Sequence, residues 1–415
     1  MKTIKNKGWF MVSAGLAINL ALGILYTWSI FKDKILQSIR LGGDDAFTWN
    51  EAALNDPYAV CILVFAFSMI LAGKLQDKKG PRLTALIGGL LVGAGFILVS
   101  LSKSYVVWIL GFGILAGMGI GFGYSAATPP ALKWFSASKT GLIAGIVVSG
   151  FGLAPVYIAP LATFLVREFG LQNAMMIFGI SFIVIVCGAA LFLQNPPENY
   201  VAQDTKKQSA KKSKTSSTSE NFTTGEMLKT PSFYLMWFIF FIASGAGLMV
   251  ISSVSGMAKK SMGDAAFIAV AIMAAGNAGG RIAAGILSDK IGRVLTLVII
   301  LIFQAALMFA SISLTSGNSS ALVIVLLATF IGFNYGTNLS LFPSFTKGFW
   351  GMRNFGVNYG VLMSAWGLGG FALSRLSQTL FAHTGNHQLS FIIAGVSLSV
   401  CALLTFVLNK VQPHH

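Results

Sequence analysis

Charge is scarce in this sequence. Asp, Glu, Lys and Arg make up 10% of its 415 residues, where soluble domains carry about 25%, so water is the wrong solvent for most of its surface. Acids are scarcer than bases, 13 against 29. Cysteine is also sparse: Cys61, Cys187 and Cys401 stand far apart, each inside an apolar stretch, which argues against a disulfide framework or a metal cluster and leaves them as packing residues. His383 and His387 are four positions apart, but Gly385 between them and a loop setting argue against a metal site. No His-Glu-x-x-His, no Gly-x-Ser-x-Gly and no glycine-rich loop followed by Lys-Ser/Thr occurs, so neither intramembrane hydrolysis nor ATP-driven work is expected. The expectation is a protein without catalytic residues, cofactor or metal, and not an enzyme.

What the chain has instead is apolar length. Hydrophobic residues account for 55% of it and the mean hydropathy is +0.75. About twenty apolar residues span a bilayer, and hydropathy predicts a dozen such helices. Six lie near 8–31, 53–73, 83–101, 105–132, 141–166 and 174–193; six more lie near 233–258, 265–288, 294–314, 321–342, 355–380 and 389–408. The fold class expected is an all-α membrane protein of twelve transmembrane helices. The basic start (Lys2, Lys5, Lys7) leads into an apolar run too long for a signal peptide and is expected to persist as the first helix.

The formal charge of +16 does not call for nucleic acid, because the basic residues sit beside apolar spans rather than along one face of a domain. Lys74, Lys78, Lys79 and Arg82 follow helix two, Lys133 and Lys139 helix four, Lys290 and Arg293 helix eight, Lys347 and Arg353 helix ten. The opposite loops are poorer in cations or offset by acids: Lys32, Lys34 and Arg40 by Asp33, Asp44 and Asp45, and Arg167 by Glu168. Both termini are therefore expected to be cytoplasmic. Residues 196–231, rich in Ser, Thr, Lys and Asn, cannot bury enough apolar area to fold alone. They are expected to form a cytoplasmic linker between bundles at 1–195 and 232–415, with Lys206, Lys207, Lys211, Lys212 and Lys214 against anionic headgroups.

The halves repeat each other. Gly73-Lys74-Leu75-Gln76-Asp77-Lys78-Lys79-Gly80 returns 212 positions later as Gly285-Ile286-Leu287-Ser288-Asp289-Lys290-Ile291-Gly292. Gly121-Phe122-Gly123-Tyr124 returns after 211 as Gly332-Phe333-Asn334-Tyr335. Gly141, Gly145, Ser149, Gly152 and Leu153 answer Gly356, Gly360, Ser364, Gly367 and Leu368 at a spacing of 215. Three matches at nearly one spacing predict two pseudo-symmetric six-helix bundles.

Arg281 is the most informative residue. It lies eight residues before Asp289 in helix eight, so about 12 Å below the helix end, too deep to snorkel out easily. An arginine there costs at least ~2.5–3.5 kcal/mol on insertion scales and is expected to face a polar cavity. No helix centre supplies an acid to pair with it, and its guanidinium fork matches a carboxylate, so it is read as the anion-binding group. Asn277, one turn earlier, points into the same space and either orients Arg281, bonds a substrate oxygen or packs helices. Tyr124 and Tyr335 are expected to face the central cavity and close over a small acid, an interfacial aromatic belt being the alternative. Ser364 and Leu25 complete the expected substrate-binding set. Asp77 and Asp289, with Arg293, are expected to gate the cytoplasmic side by pairing with basic residues or helix ends of the other half. Arg375 is expected at the membrane interface, and Glu51 and Asp56 as caps or loop partners, though either could admit protons.

Taken together, Tyr26-Thr27-Trp28, Leu75-Gln76-Asp77-Lys78, Gly123-Tyr124-Ser125, Ala131-Leu132-Lys133-Trp134-Phe135, Gly225-Glu226-Met227-Leu228-Lys229-Thr230-Pro231, Ser288-Asp289-Lys290-Ile291-Gly292-Arg293 and Leu341-Phe342-Pro343-Ser344 resemble the major facilitator superfamily. Within it the likeness is to the bacterial oxalate/formate antiporter branch and the related monocarboxylate transporters. The resemblance implies parallel six-helix repeats with substrate held between them near the midplane, and a bacterial inner membrane. It also implies that Arg281 pairs with the substrate carboxylate and that Tyr124 lines the site. Trp366 stands where the oxalate exchanger has a lysine, and one fixed positive charge suits a monoanion. Asn277 and an uncharged first helix stand where proton-coupled animal members carry Asp and Lys. The expected function is proton-coupled secondary transport of a small organic monocarboxylate of the lactate or pyruvate type by alternating access. The alternatives are exchange of the oxalate/formate type and a carboxylate-sensing membrane receptor.

Overall fold

The two repeated segments end their helices in the same way. Asp56–Lys79 stops at Gly80 with φ +88°, and Ala266–Ile291 stops at Gly292 with φ +91°. A residue with a Cβ rarely adopts that conformation, which explains why the last position of both motifs is glycine. The computed structural model describes residues 6–43, 46–197, 200, 221–262, 266–315, 321–408 and 410–411. The linker lysines 206–214, the first five residues, and Asp44 and Asp45 of the charge comparison lie outside the described residues.

Among the described residues every regular element is helical. Nine helical stretches are long and apolar enough to cross a membrane. The first half begins with α1 (Gly8–Leu41), α2 (Asp56–Lys79), α3 (Pro81–Ser100) and α4 (Tyr105–Trp134). A single stretch, Ala137–Ala190, then supplies both α5 (140–169) and α6 (171–190), because Gly170 with φ +79° breaks it. The second half contains α7 (Pro231–Met262), α8 (Ala266–Ile291), α9 (Arg293–Thr315), α10 (Ala321–Trp350), α11 (Phe355–Thr384) and α12 (Gln388–Leu408). The helices α8, which carries Asn277 and Arg281, and α11, which carries Asn358 and Arg375, bring the passes to twelve.

Two expected boundaries move. The first helix runs on to Leu41 after a 3-10 stretch at Gly23–Thr27. Its last turns bury Phe31 and Ile35 on one side and expose Lys34 and Arg40 on the other, an amphipathic pattern that averages to low hydropathy. The tenth continues through Pro343 to Trp350. Prolines also open α3 and α7 at their first positions, where the missing N–H costs nothing.

The halves meet along two crossings, α5 on α8 and α2 on α11, which exchange under the six-helix repeat. Both crossings are backbone on backbone. A methyl group at Gly73 would overlap the Gly356 carbonyl, and one at Gly285 the Gly141 carbonyl, so the repeated glycines set how closely the bundles approach. Outer faces expose Leu71, Leu90, Val184 and Leu403, side chains that lipid covers at no cost.

Candidate functional site

Between the halves lies a cavity of about 780 Å³ walled by α1, α2, α5, α7, α8 and α11. Exposed Asn55, Arg375 and Gln378 mark its mouth. Tyr26, Gly152 and Asn277 line its deep end. The 3-10 stretch of α1 brings Leu25 and Tyr26 to this wall, at the point where Gly23 sits against Ala154 of α5.

Arg281 lies just behind Asn277 and is completely buried. Its Nε donates to Asn277 Oδ1 at 3.0 Å, and Nη1 donates to the Val148 carbonyl across the α5 crossing. Its Nη2 has no hydrogen-bond partner among the described residues, nor does any carboxylate there form an ion pair with it. A buried guanidinium with a free donor and no counter-ion is a costly arrangement, and a carboxylate would relieve it.

Aromatic side chains enclose this charge. The hydroxyls of Tyr124, Tyr335 and Tyr359 all lie within electrostatic reach of Arg281. Trp366 Nε1 donates to the Tyr335 hydroxyl at 2.8 Å, and that hydroxyl lies 3.1 Å from the hydroxyl of Tyr26 in the other half. Phe151 packs edge-on against Tyr26 (5.3 Å) and Tyr124 (5.4 Å), while Phe65 meets Tyr124 at 5.6 Å and Trp366 at 5.1 Å. The hydroxyls of Tyr124 and Tyr359 are both buried and lie against each other.

At the opposite end from the mouth, the repeated aspartates cap helices of the other half. Asp289 accepts from the backbone N–H of Gly141 (2.8 Å) and Leu142 (2.9 Å) at the start of α5. Asp77 accepts from Gly356 (3.0 Å) and Val357 (2.9 Å) at the start of α11. A carboxylate at a helix N-terminus satisfies unpaired N–H groups and meets the positive end of the dipole. Arg293 and Lys347 lie near Asp289, and Lys133 near Asp77. The Lys347 ammonium also reaches across the halves to the Leu132 carbonyl at 3.2 Å.

The α11 cap has an addition with no counterpart at the α5 cap among the described residues. Asn354 and Asn358 donate their amides to the Phe222 carbonyl at 3.0 and 3.1 Å, and the Thr224 hydroxyl donates to Asn358 Oδ1 at 2.9 Å. Asn221 Oδ1 accepts from the N–H groups of Met352 and Arg353. A capping box closes this strap: Glu226 accepts from the Thr223 N–H and hydroxyl, which holds its carboxyl below the usual carboxylate range. At the 215 spacing Lys139 and Ile143 replace Asn354 and Asn358.

Of the expected substrate residues, the structure brings Arg281, Asn277, Tyr124 and Tyr335 into one neighbourhood and sets Leu25 on the cavity wall. Ser364 is engaged elsewhere: its hydroxyl donates to the Val361 carbonyl and accepts from Trp237 Nε1 at 3.0 Å. Arg375, expected at the interface, lines the cavity, because Gly370, Phe371, Ser374, Arg375 and Gln378 form one helical stripe facing it. Glu51 pairs with Arg40 at 3.2 Å and Asp56 accepts from the Tyr105 hydroxyl at 2.8 Å. Phe65, Phe151 and Tyr359 were not expected at the site. The 215 spacing already pairs Phe151 with Trp366, and the 212 spacing pairs Phe65 with Asn277 and Met69 with Arg281.

Residues 8–374 match the Major Facilitator Superfamily, and the chain belongs to that family of multi-pass membrane transporters. The chain is 29% identical over 373 residues to an uncharacterized MFS-type transporter, YhjX, of Escherichia coli (strain K12), covering 87% of this chain and 85% of that one. It is 27% identical over 408 residues to the oxalate:formate antiporter of Oxalobacter formigenes, covering 98% and 92%. Rat monocarboxylate transporter 13 is 25% identical over 396 residues, covering 94% and 86%. The fold is shared with the transporter FucP in its outward conformation (TM-score 0.68, 15% identity, 97% of this chain and 99% of that one). It is also shared with the proton:xylose symporter XylE bound to 6-bromo-6-deoxy-D-glucose (TM-score 0.71, 14% identity, 97% and 96%).

Proposed function

We propose that this protein is a secondary transporter of small monocarboxylates, of the lactate or pyruvate type, moving them with a proton by alternating access. One observation carries the reading: a fully buried Arg281 with a free Nη2 and no acidic partner among the described residues, behind the deep wall of a cavity between two bundles. One fixed charge selects a monoanion, Asn277 orients the guanidinium, and Tyr124 and Tyr335 give the site its shape and small size. The names of the antiporter of Oxalobacter formigenes and of the rat monocarboxylate transporter support the substrate class. Asp77 and Asp289, with Arg293 beside Asp289, act as the gate that closes the cytoplasmic end while the cavity is open outward. The membrane is the bacterial inner membrane, with both termini cytoplasmic.

Uptake of radiolabelled acids into proteoliposomes tests this. Arg281→Ala should abolish uptake while the protein still inserts; uptake at normal rates would sink the assignment. Anion exchange is a second reading, favoured by the lack of any carboxylate paired with Arg281 among the described residues, which leaves no fixed acid at the charge to carry a proton. A symporter responds to an inward proton gradient, whereas an exchanger requires a counter-anion inside.

A further inference from the structure

The charged residues of the cavity wall have a pattern that substrate binding at Arg281 does not use. Besides His387, they are Lys32 on α1, Arg375 on α11 and Asp56 on α2. The two cations come from opposite halves. Arg375 is exposed and Lys32 half-buried. Lys32 is six residues past Tyr26 and Arg375 nine past Trp366, so they stand roughly 9 and 13 Å above the aromatic floor. That is close to the Debye length of about 10 Å at 0.1 M salt, so their field reaches the floor in dilute salt and fades in concentrated salt. Asp56 is the opposing carboxylate, and its Oδ2 is occupied by the Tyr105 hydroxyl at 2.8 Å. Low-dielectric walls focus such a field along the cavity axis.

We infer that Lys32 and Arg375 form an outer, low-affinity anion site, a cationic vestibule that gathers small organic anions at the mouth and passes them inward towards Arg281. The inference rests on the anion-transport reading, but the vestibule's potential can be measured without transport. A cysteine placed at the exposed mouth residue Asn55, with half-buried Cys187 replaced by serine, is titrated with sulfonate-bearing and trimethylammonium-bearing methanethiosulfonates in full-length protein. At low ionic strength the anionic reagent should react faster relative to its rate with free thiol. Lys32→Gln with Arg375→Gln should cut the anionic-to-cationic rate ratio by about tenfold; Lys32→Arg with Arg375→Lys should restore it, and 1 M salt should bring the backgrounds together. In transport, the neutral pair should raise KM and leave kcat unchanged. An unchanged ratio in the neutral pair, or faster reaction with the cationic reagent in the parent, overturns the vestibule. Normal uptake by Arg281→Ala overturns the transport reading instead and leaves the reagent ratio interpretable.

Discussion

Asn277 Oδ1 holds Arg281 Nε at 3.0 Å across one turn of α8, which fixes the plane of a guanidinium whose Nη2 has no hydrogen-bond partner among the described residues. Hydrogen bonds to charged groups contribute about 1.5–3 kcal/mol. Asn277→Ala should therefore raise KM for the transported anion by roughly ten- to hundredfold, read as uptake against substrate concentration. Asn277→Asp should act differently: a carboxylate one turn from the guanidinium pairs with it and competes with the substrate. Lowering the pH protonates that carboxylate and frees Arg281, so uptake by Asn277→Asp should rise as pH falls, relative to the parent. Pairing that persisted at all accessible pH values would appear as uniformly low uptake.

The hydroxyl of Tyr335 serves two neighbours, accepting from Trp366 Nε1 and meeting Tyr26 of the other half. Tyr335→Phe leaves a buried indole N–H unpaired, a loss of about 1–3 kcal/mol. Tyr26→Phe removes only the contact between halves and leaves the Trp366 bond in place. Thermal unfolding of the purified variants should show a larger loss for Tyr335→Phe; equal losses would assign the effect to the hydroxyl pair alone.

How much of this was legible depends on whether the signal is periodic. The helix centres, the two repeats and the lone Arg281 are readable from apolar runs, fixed spacings and one misplaced charge. The motif aspartates are readable as partners for helix ends because both copies carry them. The last turns of α1 are not, since amphipathic helix averages to the hydropathy of a loop. Nor is the joining of α5 to α6, where Gly170 alone makes the break. Arg375 is misread when taken singly; its stripe from Gly370 to Gln378 shows the face. The strap is the least legible element. Asn358 meets a backbone carbonyl 136 positions away, and such contacts leave no pattern in composition or period.

Both aspartate caps lie at the end of the helices opposite the cavity mouth. Asp77→Asn or Asp289→Asn keeps one acceptor oxygen but loses the charge and one of two backbone bonds, weakening the closed end by about 1.5–3 kcal/mol. Opening at that end should become roughly ten- to hundredfold more frequent. Gln76→Cys, at a buried position next to Asp77, reports it as the labelling rate with a membrane-permeant maleimide. The double variant should label faster than either single one. A double variant no faster than Asp77→Asn would show that the α11 crossing alone holds that end.

The strap lets a prediction be made about one crossing and not the other. Asn358 is fully buried and ties Phe222 and Thr224 to α11 beside the N–H groups that Asp77 accepts. Asn358→Ala should release residues 221–227, which trypsin reports as faster cleavage after exposed Lys229, and should raise Gln76→Cys labelling. Reactivity at α5 should not change, because Ile143 stands in the equivalent place there. The Glu226 carboxyl, held below its ordinary value by Thr223, stabilises the strap above the unfolded carboxylate pKa of about 4.3. That contribution disappears as pH falls through the lower folded value. Hydrogen exchange of residues 221–227 should therefore quicken at acid pH, beyond the intrinsic pH dependence, in the parent and not in Glu226→Gln. Equal exchange in both would remove Glu226 from the strap while leaving the asparagine contacts to be tested by Asn358→Ala.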